Sequence, residues 1–332
     1  MRKSIFNIRT ITMIVIIVLF TIIVPKVTNT YSMTVMNIAL IYFIASLGIS
    51  VMLGMGGNIS FATSAFMGFG AFFTTVLSVK LGVHSLISLV LAVIATALFA
   101  WVMGLTLLRL KGSYFTFATI GLVQIMWSVY TNWKVVTGGP DGISRIPKLD
   151  FLFYKPRTVM DYFYVLMAFS VICGIIVERI RKTSLGRSLA SIRDNEIAAQ
   201  SLGVNVYRTN VIGFIISGAF AGLAGALLAH HNTFISASQF TYEQSTMFVI
   251  MVMLGGVSSI PGAFVGAMIV TMLPEWLRPL KEYLRFVYGI GIMLLMVFMP
   301  MGLAGVVSSI ANKFKKNKIK KESGVSVDGA SS

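Results

Sequence analysis

Apolar runs approaching or exceeding the roughly 20 residues of a membrane helix, repeated between short polar interruptions, restrict this chain more than any other feature. They read Ile11–Val24, Thr34–Leu53, Phe61–Val79, Leu86–Leu108, Tyr114–Tyr130, Tyr162–Val177 and Val211–Ala229, followed by Ser245–Leu273 and Phe286–Val307. A transmembrane barrel strand needs only about 9–11 residues. In lipid, each backbone N–H and C=O must pair inside its own segment, so runs of this length are helices. The expected fold is an all-α polytopic integral membrane protein of about 8–10 transmembrane helices, some discontinuous or re-entrant. Composition agrees: 56% of residues are hydrophobic and 11% charged, where a soluble domain carries roughly 25% charged residues.

The net charge is +16, from 27 Lys and Arg against 11 Asp and Glu. In a soluble chain this would suggest nucleic acid. Here basic residues flank the spans and hold them to the cytoplasmic side. Their patches show neither Cys/His metal spacing nor an RNA-binding aromatic signature, so no nucleic-acid partner is expected. The single Cys173 lies in an apolar span, which excludes a disulfide framework or a Cys-based metal site within one chain.

Charge also orients the spans. Arg2, Lys3 and Arg9 keep the N-terminus inside, and the P-K-V-T-N-T-Y-S that follows the first run lacks a cleavage pattern, so that run reads as a retained span. Alternate counting places Arg109 and Lys111 inside and Lys134–Arg157 outside. Glu178–Arg208, with Arg179, Arg181, Lys182, Arg187, Arg193 and Arg208, then falls inside. The basic residues of the outside loop conflict with this only mildly. A single crossing by Ser245–Leu273 would leave the lysine-rich tail N-K-F-K-K-N-K-I-K-K outside. The conflict disappears if L-G-G-V-S-S-I-P-G, Leu254–Gly262, turns the chain. Ser245–Leu254 and Ala263–Leu273 then form a central hairpin of short helices, and both termini are cytoplasmic. Residues 1–310 form the transmembrane domain, and 311–332 a basic, disordered tail.

Catalysis finds little support. Between Tyr31 and Leu108 the ionisable side chains, beyond Tyr31 and Tyr42, are Lys80 and His84, both near an expected external turn. No carboxylate sits mid-span, no Ser-His-Asp set is visible, and His230–His231 falls at a span end. Proton-coupled carriers and intramembrane hydrolases usually show buried ionisable groups. There is also no G-x-x-x-x-G-K-[ST], so energy for any transport must come from elsewhere.

Polar and glycine-rich stretches carry the remaining signal. Thr183–Val204 reads as two short water-facing helices. Thr183 or Ser184 caps the first, with Leu185, Leu189 and Ile192 on one face; Asp194 or Asn195 caps the second, Glu196–Leu202, ahead of Gly203. G-M-G-G-N-I-S, Gly54–Ser60, breaks the apolar pattern with Asn58 and Ser60, as a discontinuous helix beside a solute path would. Gly218-x-x-x-Gly222 with Gly225, and Gly262-x-x-x-Gly266, read as packing faces. R-L-K-G-S-Y-F, Arg109–Phe115, reads as a topology anchor, and T-G-G-P-D-G-I, Thr137–Ile143, as a shaped turn.

Together these stretches resemble the LivM-type permeases of ATP-binding-cassette importers for branched-chain amino acids. The matching segments are L-G-M-G-G-N-I-S-F with A-F-M-G-F-G-A, R-L-K-G-S-Y-F-T-F-A-T-I-G, T-G-G-P-D-G-I, G-R-S-L-A-S-I-R-D-N-E-I-A-A-Q-S-L-G-V, S-G-A-F-A-G-L-A-G-A-L and L-G-G-V-S-S-I-P-G-A-F-V-G-A. They occur in the family's order over roughly Ile38–Ala267. The resemblance implies a multi-pass permease subunit of the bacterial cell membrane, without cofactor or catalytic residues. Its implied partners are a second homologous permease, two ATPase subunits and an external binding protein. It implies that Glu196, Ala198, Ala199, Leu202 and Gly203 form the segment that docks the ATPase, with Gly186, Arg187, Arg193 and Asp194 leading in. Asn58, Ser60 and Thr119 are the path candidates. The family's S-[LF]-G-H is replaced by Ser60-Phe61-Ala62-Thr63, and permeases for urea or short amides share much of the pattern. Leu, Ile or Val is the expected solute. A stand-alone secondary carrier is disfavoured by the absence of intramembrane charge.

Overall fold

The computed structural model describes residues 28–151 and 158–276, with Thr21, Pro25 and Pro156. The expected first span apart from Thr21, the last span Phe286–Val307 and the tail 311–332 lie outside the described residues. Helix α1 is Thr30–Ile49 and continues through a π-helical turn, Ser50–Met55. Helix α2, Thr63–Thr75, is likewise extended by a π turn, Val76–Lys80. Then come α3 (Ser85–Leu107), α4 (Ser113–Asn132), α5 (Val159–Lys182), α6 (Ser184–Asp194), α7 (Glu196–Ser201), α8 (Val206–Asn232), α9 (Tyr242–Gly255) and α10 (Ile260–Trp276).

Thr30–Met55, Ser85–Leu107, Val159–Lys182 and Val206–Asn232 are long and apolar enough to cross a membrane. The protein is an all-α polytopic membrane protein. Burial sorts its helices. The apolar stretches of Thr30–Met55 and Val206–Asn232 are 83% and 72% buried, against 28% and 33% for Ser85–Leu107 and Val159–Lys182. Helices apolar all round belong inside, so α1 and α8 form the centre and α3 and α5 the flanks.

Small residues make that centre possible. Helix α8 packs against α1, α2 and α3. A Cβ on Gly48 would lie 2.7 Å from the Ser217 carbonyl oxygen, and one on Gly222 2.5 Å from Thr96 Oγ1. The Gly218/Gly222 face is thus a packing seam, as such spacing usually is in membrane helices.

Ser245–Leu273 does reverse. Helices α9 and α10 lie against each other and both touch α1, joined by the turn Gly256–Ser259. A Cβ on Gly255 would lie 2.9 Å from the Ala263 nitrogen. One small β ladder, Ile143–Ser144 with Phe234–Ile235, joins the α4–α5 connection to the α8–α9 connection. Its two-residue strands are too short for an alternating pattern to announce them in the sequence.

At this end the polar groups are locked inward. His230 is fully buried, with its ring nitrogens 3.0 Å from Thr74 Oγ1 and 2.7 Å from the Pro147 carbonyl oxygen. Asn37 Nδ2 donates to the Val159 carbonyl at 3.0 Å and lies 3.2 Å from His231 Nε2.

Candidate functional site

At the opposite end of the helices, residues Thr183–Val204 form two capped helices. Thr183 Oγ1 accepts from the Gly186 N–H at 3.4 Å and opens α6; Asn195 Oδ1 accepts from the Ala198 N–H at 3.0 Å and opens α7. These caps satisfy amides that a helix start leaves without partners. Gly203, at φ +84°, ends α7: its N–H donates to the Gln200 carbonyl and the Val204 N–H to the Ala199 carbonyl. That bond pair is a Schellman closure.

Each helix has an inner face. Gly186, Leu189 and Ile192 of α6 are buried, and Leu189 reaches toward Gly56 and Gly213. Ala199 is the buried residue of α7. The outer face of α7 is apolar as well: Ile197 is 78% and Leu202 84% exposed, with Ala198 exposed between them. Covering either large side chain would contribute roughly 1.5–3 kcal/mol. Charge surrounds this patch. Glu196 pairs with Lys111 of the α3–α4 connection at 3.6 Å, a solvent-screened contact worth little to stability. Arg187 is exposed, its Nη1 donating to the Lys182 carbonyl at 2.9 Å. Arg193 instead turns toward the membrane helices, where Nη1 donates to the Gly54 carbonyl at 2.7 Å, while Asp194 Oδ1 accepts from its Nε and Nη2 at 3.2 and 3.1 Å.

Asn58, Ser60 and Thr119 come together where α1 ends, α2 begins and α4 passes. The chain is irregular from Gly57 to Phe61. Asn58 is half-buried, with Nδ2 donating to the Gly56 carbonyl at 3.4 Å; Ser60 Oγ accepts from the Ala62 N–H at 3.3 Å. Thr119 is fully buried. Its Oγ1 accepts from the Phe61 N–H at 3.1 Å, and Thr116 Oγ1 donates to the Ile59 carbonyl at 3.1 Å. Thr119 lies six residues into α4, about 9 Å from its start at the helical rise of 1.5 Å per residue. The broken segment is thus held along the first two turns of α4, with the Ile59 carbonyl and Phe61 N–H bonded to Thr116 and Thr119.

Two features near this junction are not apparent in the apolar pattern. Helix α9 starts against the broken segment: the Tyr242 ring lies 5.6 Å from Phe61, and the Ser64 N–H donates to Ser245 Oγ at 3.0 Å. Glu243, in the first turn of α9, is exposed there. Helix α4 also presents Tyr114, Phe117, Gln124, Ile125 and Ser128 outward, and among the described residues nothing lies within 4 Å of the Cβ position of Gly121. The spacing of three and four residues through 114, 117, 121, 124 and 128 is the available sequence signal. Mixed with apolar neighbours, it reads as an ordinary span.

Comparison with known proteins places this architecture. The family described as branched-chain amino acid transport system / permease component matches residues 31–299. The chain belongs to this family. The LivM permease protein of the high-affinity branched-chain amino acid transport system of Salmonella typhimurium is 30% identical over 302 residues, covering 84% of this chain and 71% of its own. A probable LivM protein of Methanocaldococcus jannaschii is 26% identical over 208 residues, 61% of this chain and 60% of its own. The autoinducer 2 import permease LsrC of Klebsiella pneumoniae is 28% identical over 171 residues, 50% of this chain and 47% of its own. No solved structure matches. The broken Gly54–Ser60 segment, the capped pair α6–α7 and the α9–α10 hairpin thus all lie inside the family-matched region of this permease component.

Proposed function

We propose that this permease moves branched-chain amino acids across a cell membrane, driven by ATPase subunits that dock on α7. The carrying observation is the outward pair Ile197 and Leu202 on a helix closed at both ends and seated on the membrane domain. A short, held helix transmits a partner's closure as a rigid-body movement, and Glu196, Arg187 and Lys111 around it orient that partner. ATP hydrolysis belongs to the partner subunits, and a second permease and an external binding protein complete the importer. The α6–α7 end faces the cytoplasm, as its basic residues favour.

The solute path runs over the outward face of α4 and the broken segments beside it. Polar residues at membrane depth face a bundle interior or a water-filled cavity. Gln124 and Ser128 do so against the second permease, with Asn58, Tyr242 and Glu243 at the inner mouth and the buried Ser60 and Thr119 holding the broken segment behind it. A zwitterion meets amides, hydroxyls and one carboxylate there, and selection is left mainly to the binding protein.

The test is uptake of labelled leucine by a strain lacking the native permease and carrying this chain with its partners. Ile197→Asp combined with Leu202→Asp is expected to leave membrane insertion intact, to abolish uptake and to release the ATPase on purification. Retained uptake would sink the docking assignment. Competition of leucine uptake by urea or short amides, without competition by valine or isoleucine, would reassign the solute.

A further inference from the structure

We propose that Arg193 is a positioning residue that carries movement of α6 and α7 to the broken segments of the solute path. The proposal rests on α7 being the ATPase dock. Arg193 lies at the end of α6, yet its guanidinium grips two other elements. Nη1 donates to the Gly54 carbonyl at 2.7 Å and contacts Ser258 Oγ at 3.2 Å. Ser258 Oγ donates to the same Gly54 oxygen at 3.2 Å, and Ser50 Oγ to the Val257 carbonyl at 3.1 Å. The end of α6, the end of α1 and the α9–α10 turn therefore meet at one side chain. Arg181 holds the turn from α5, donating to the Ser258 carbonyl at 3.0 Å. At φ +73°, Gly57 lets the backbone lie against the stem, where a Cβ would sit 2.7 Å from Arg193 Cγ.

The two gripped elements meet again away from Arg193. The chain leaving Gly54 reaches Phe61 and Ser64, and the helix ending at the α9–α10 turn begins at Tyr242. Phe61 touches Tyr242, Ser64 is bonded to Ser245, and Thr119 holds Phe61. A closed circuit of contacts thus joins Arg193 to the candidate path. Beside it lies a cavity of about 160 Å³ lined in part by Ser50, Gly54, Arg181, Ala190 and Ser258, space into which these groups can shift. A planar guanidinium is suited to the task, because its fixed donors hold several acceptors in one geometry, as an ammonium does not.

The test uses the assembled importer in vesicles, with leucine uptake and ATP hydrolysis measured on the same preparation. Arg193→Ala is expected to keep ATPase binding and hydrolysis, while leucine moved per ATP falls roughly 10-fold or more, as for a lost coupling interaction. Arg193→Lys recovers part of that ratio and Ser258→Ala loses less of it. The double variant Arg193→Ala/Ser258→Ala loses no more than Arg193→Ala alone, because both side chains act on one carbonyl. If Arg193→Ala fails to reach the membrane, Arg193→Lys and Ser258→Ala carry the same readouts. An unchanged ratio in these variants overturns the proposal. So does loss of ATPase binding in parallel with uptake, which would make Arg193 a docking contact. A wild-type permease that recruits no ATPase would instead remove the docking role of α7.

Discussion

Gly203 shows how much one backbone angle decides. At φ +84° it lets two reverse hydrogen bonds close a helix of six residues, too short to hold by its own propensity. Among the described residues nothing lies within 4 Å of its Cβ position, so a substitution there is strained by backbone conformation, at roughly 1–2 kcal/mol for a left-handed non-glycine residue. Gly203→Ala is expected to insert normally, to lower hydrogen-exchange protection at Gly203 and Val204, and to weaken ATPase binding about 5–30-fold. Gly203→Asn should lose less, since Asn tolerates this conformation. Equal protection in Gly203→Ala and wild type would refute the account. This residue was legible in the sequence, as a glycine placed just past a capped polar helix. Arg193 was legible as a charge but not in direction. The periodicity of a short amphipathic helix gives the face on which a long stem starts, not the carbonyl its tip will find.

Among the helices, α8 was legible and α4 only in part. The G-x-x-x-G spacing on α8 announces close packing, and its partners follow once α1, α2 and α3 are seen around it. Gly222 tests the seam of α8 against α3, because an added Cβ meets both Oγ1 and Cβ of Thr96, at 2.5 and 2.6 Å. Gly222→Val is expected to lower the melting temperature of the purified permease, overpacking costing typically about 1–3 kcal/mol. Thr96→Ala in the same chain should recover part of that loss, and a strictly additive second loss would show that the helices do not meet there. Helix α4 differs because its outward face mixes Phe117, Gly121, Gln124 and Ser128. Apolarity alone reports a span and says nothing of what the face meets. Nor could local pattern show that α9 begins beside Phe61, since that depends on where the Phe234–Ile235 ladder and the residues after it lead the chain.

At the scale of the whole molecule, the two ends differ in charge and in the way polar groups are disposed. One carries Arg109, Lys111, Arg179, Arg181, Lys182, Arg187, Arg193 and Arg208 around the exposed α7. The other carries the glycine turn, the β ladder and inward-bonded His230. Lys80 is also at that end, its ammonium donating to the Val135 and Val136 carbonyls. The basic bias was legible from the spacing of Lys and Arg between spans, and it predicts sidedness. Cys173 is buried and is the single cysteine, so one replacement gives a background free of thiols. On that Cys173→Ala background, Ser201→Cys lies at the α7 end and Asp141→Cys in the glycine turn, both exposed. A membrane-impermeant maleimide added to intact cells is expected to modify the cysteine at 141, and to reach that at 201 only after the membrane is opened. Adding the ATPase subunits to opened membranes should then slow labelling at 201 and leave 141 unchanged, because only α7 is covered by docking. The opposite pattern in intact cells would invert the topology. It would leave Ile197 and Leu202 on the side without ATP, removing the physical basis for a docked ATPase altogether.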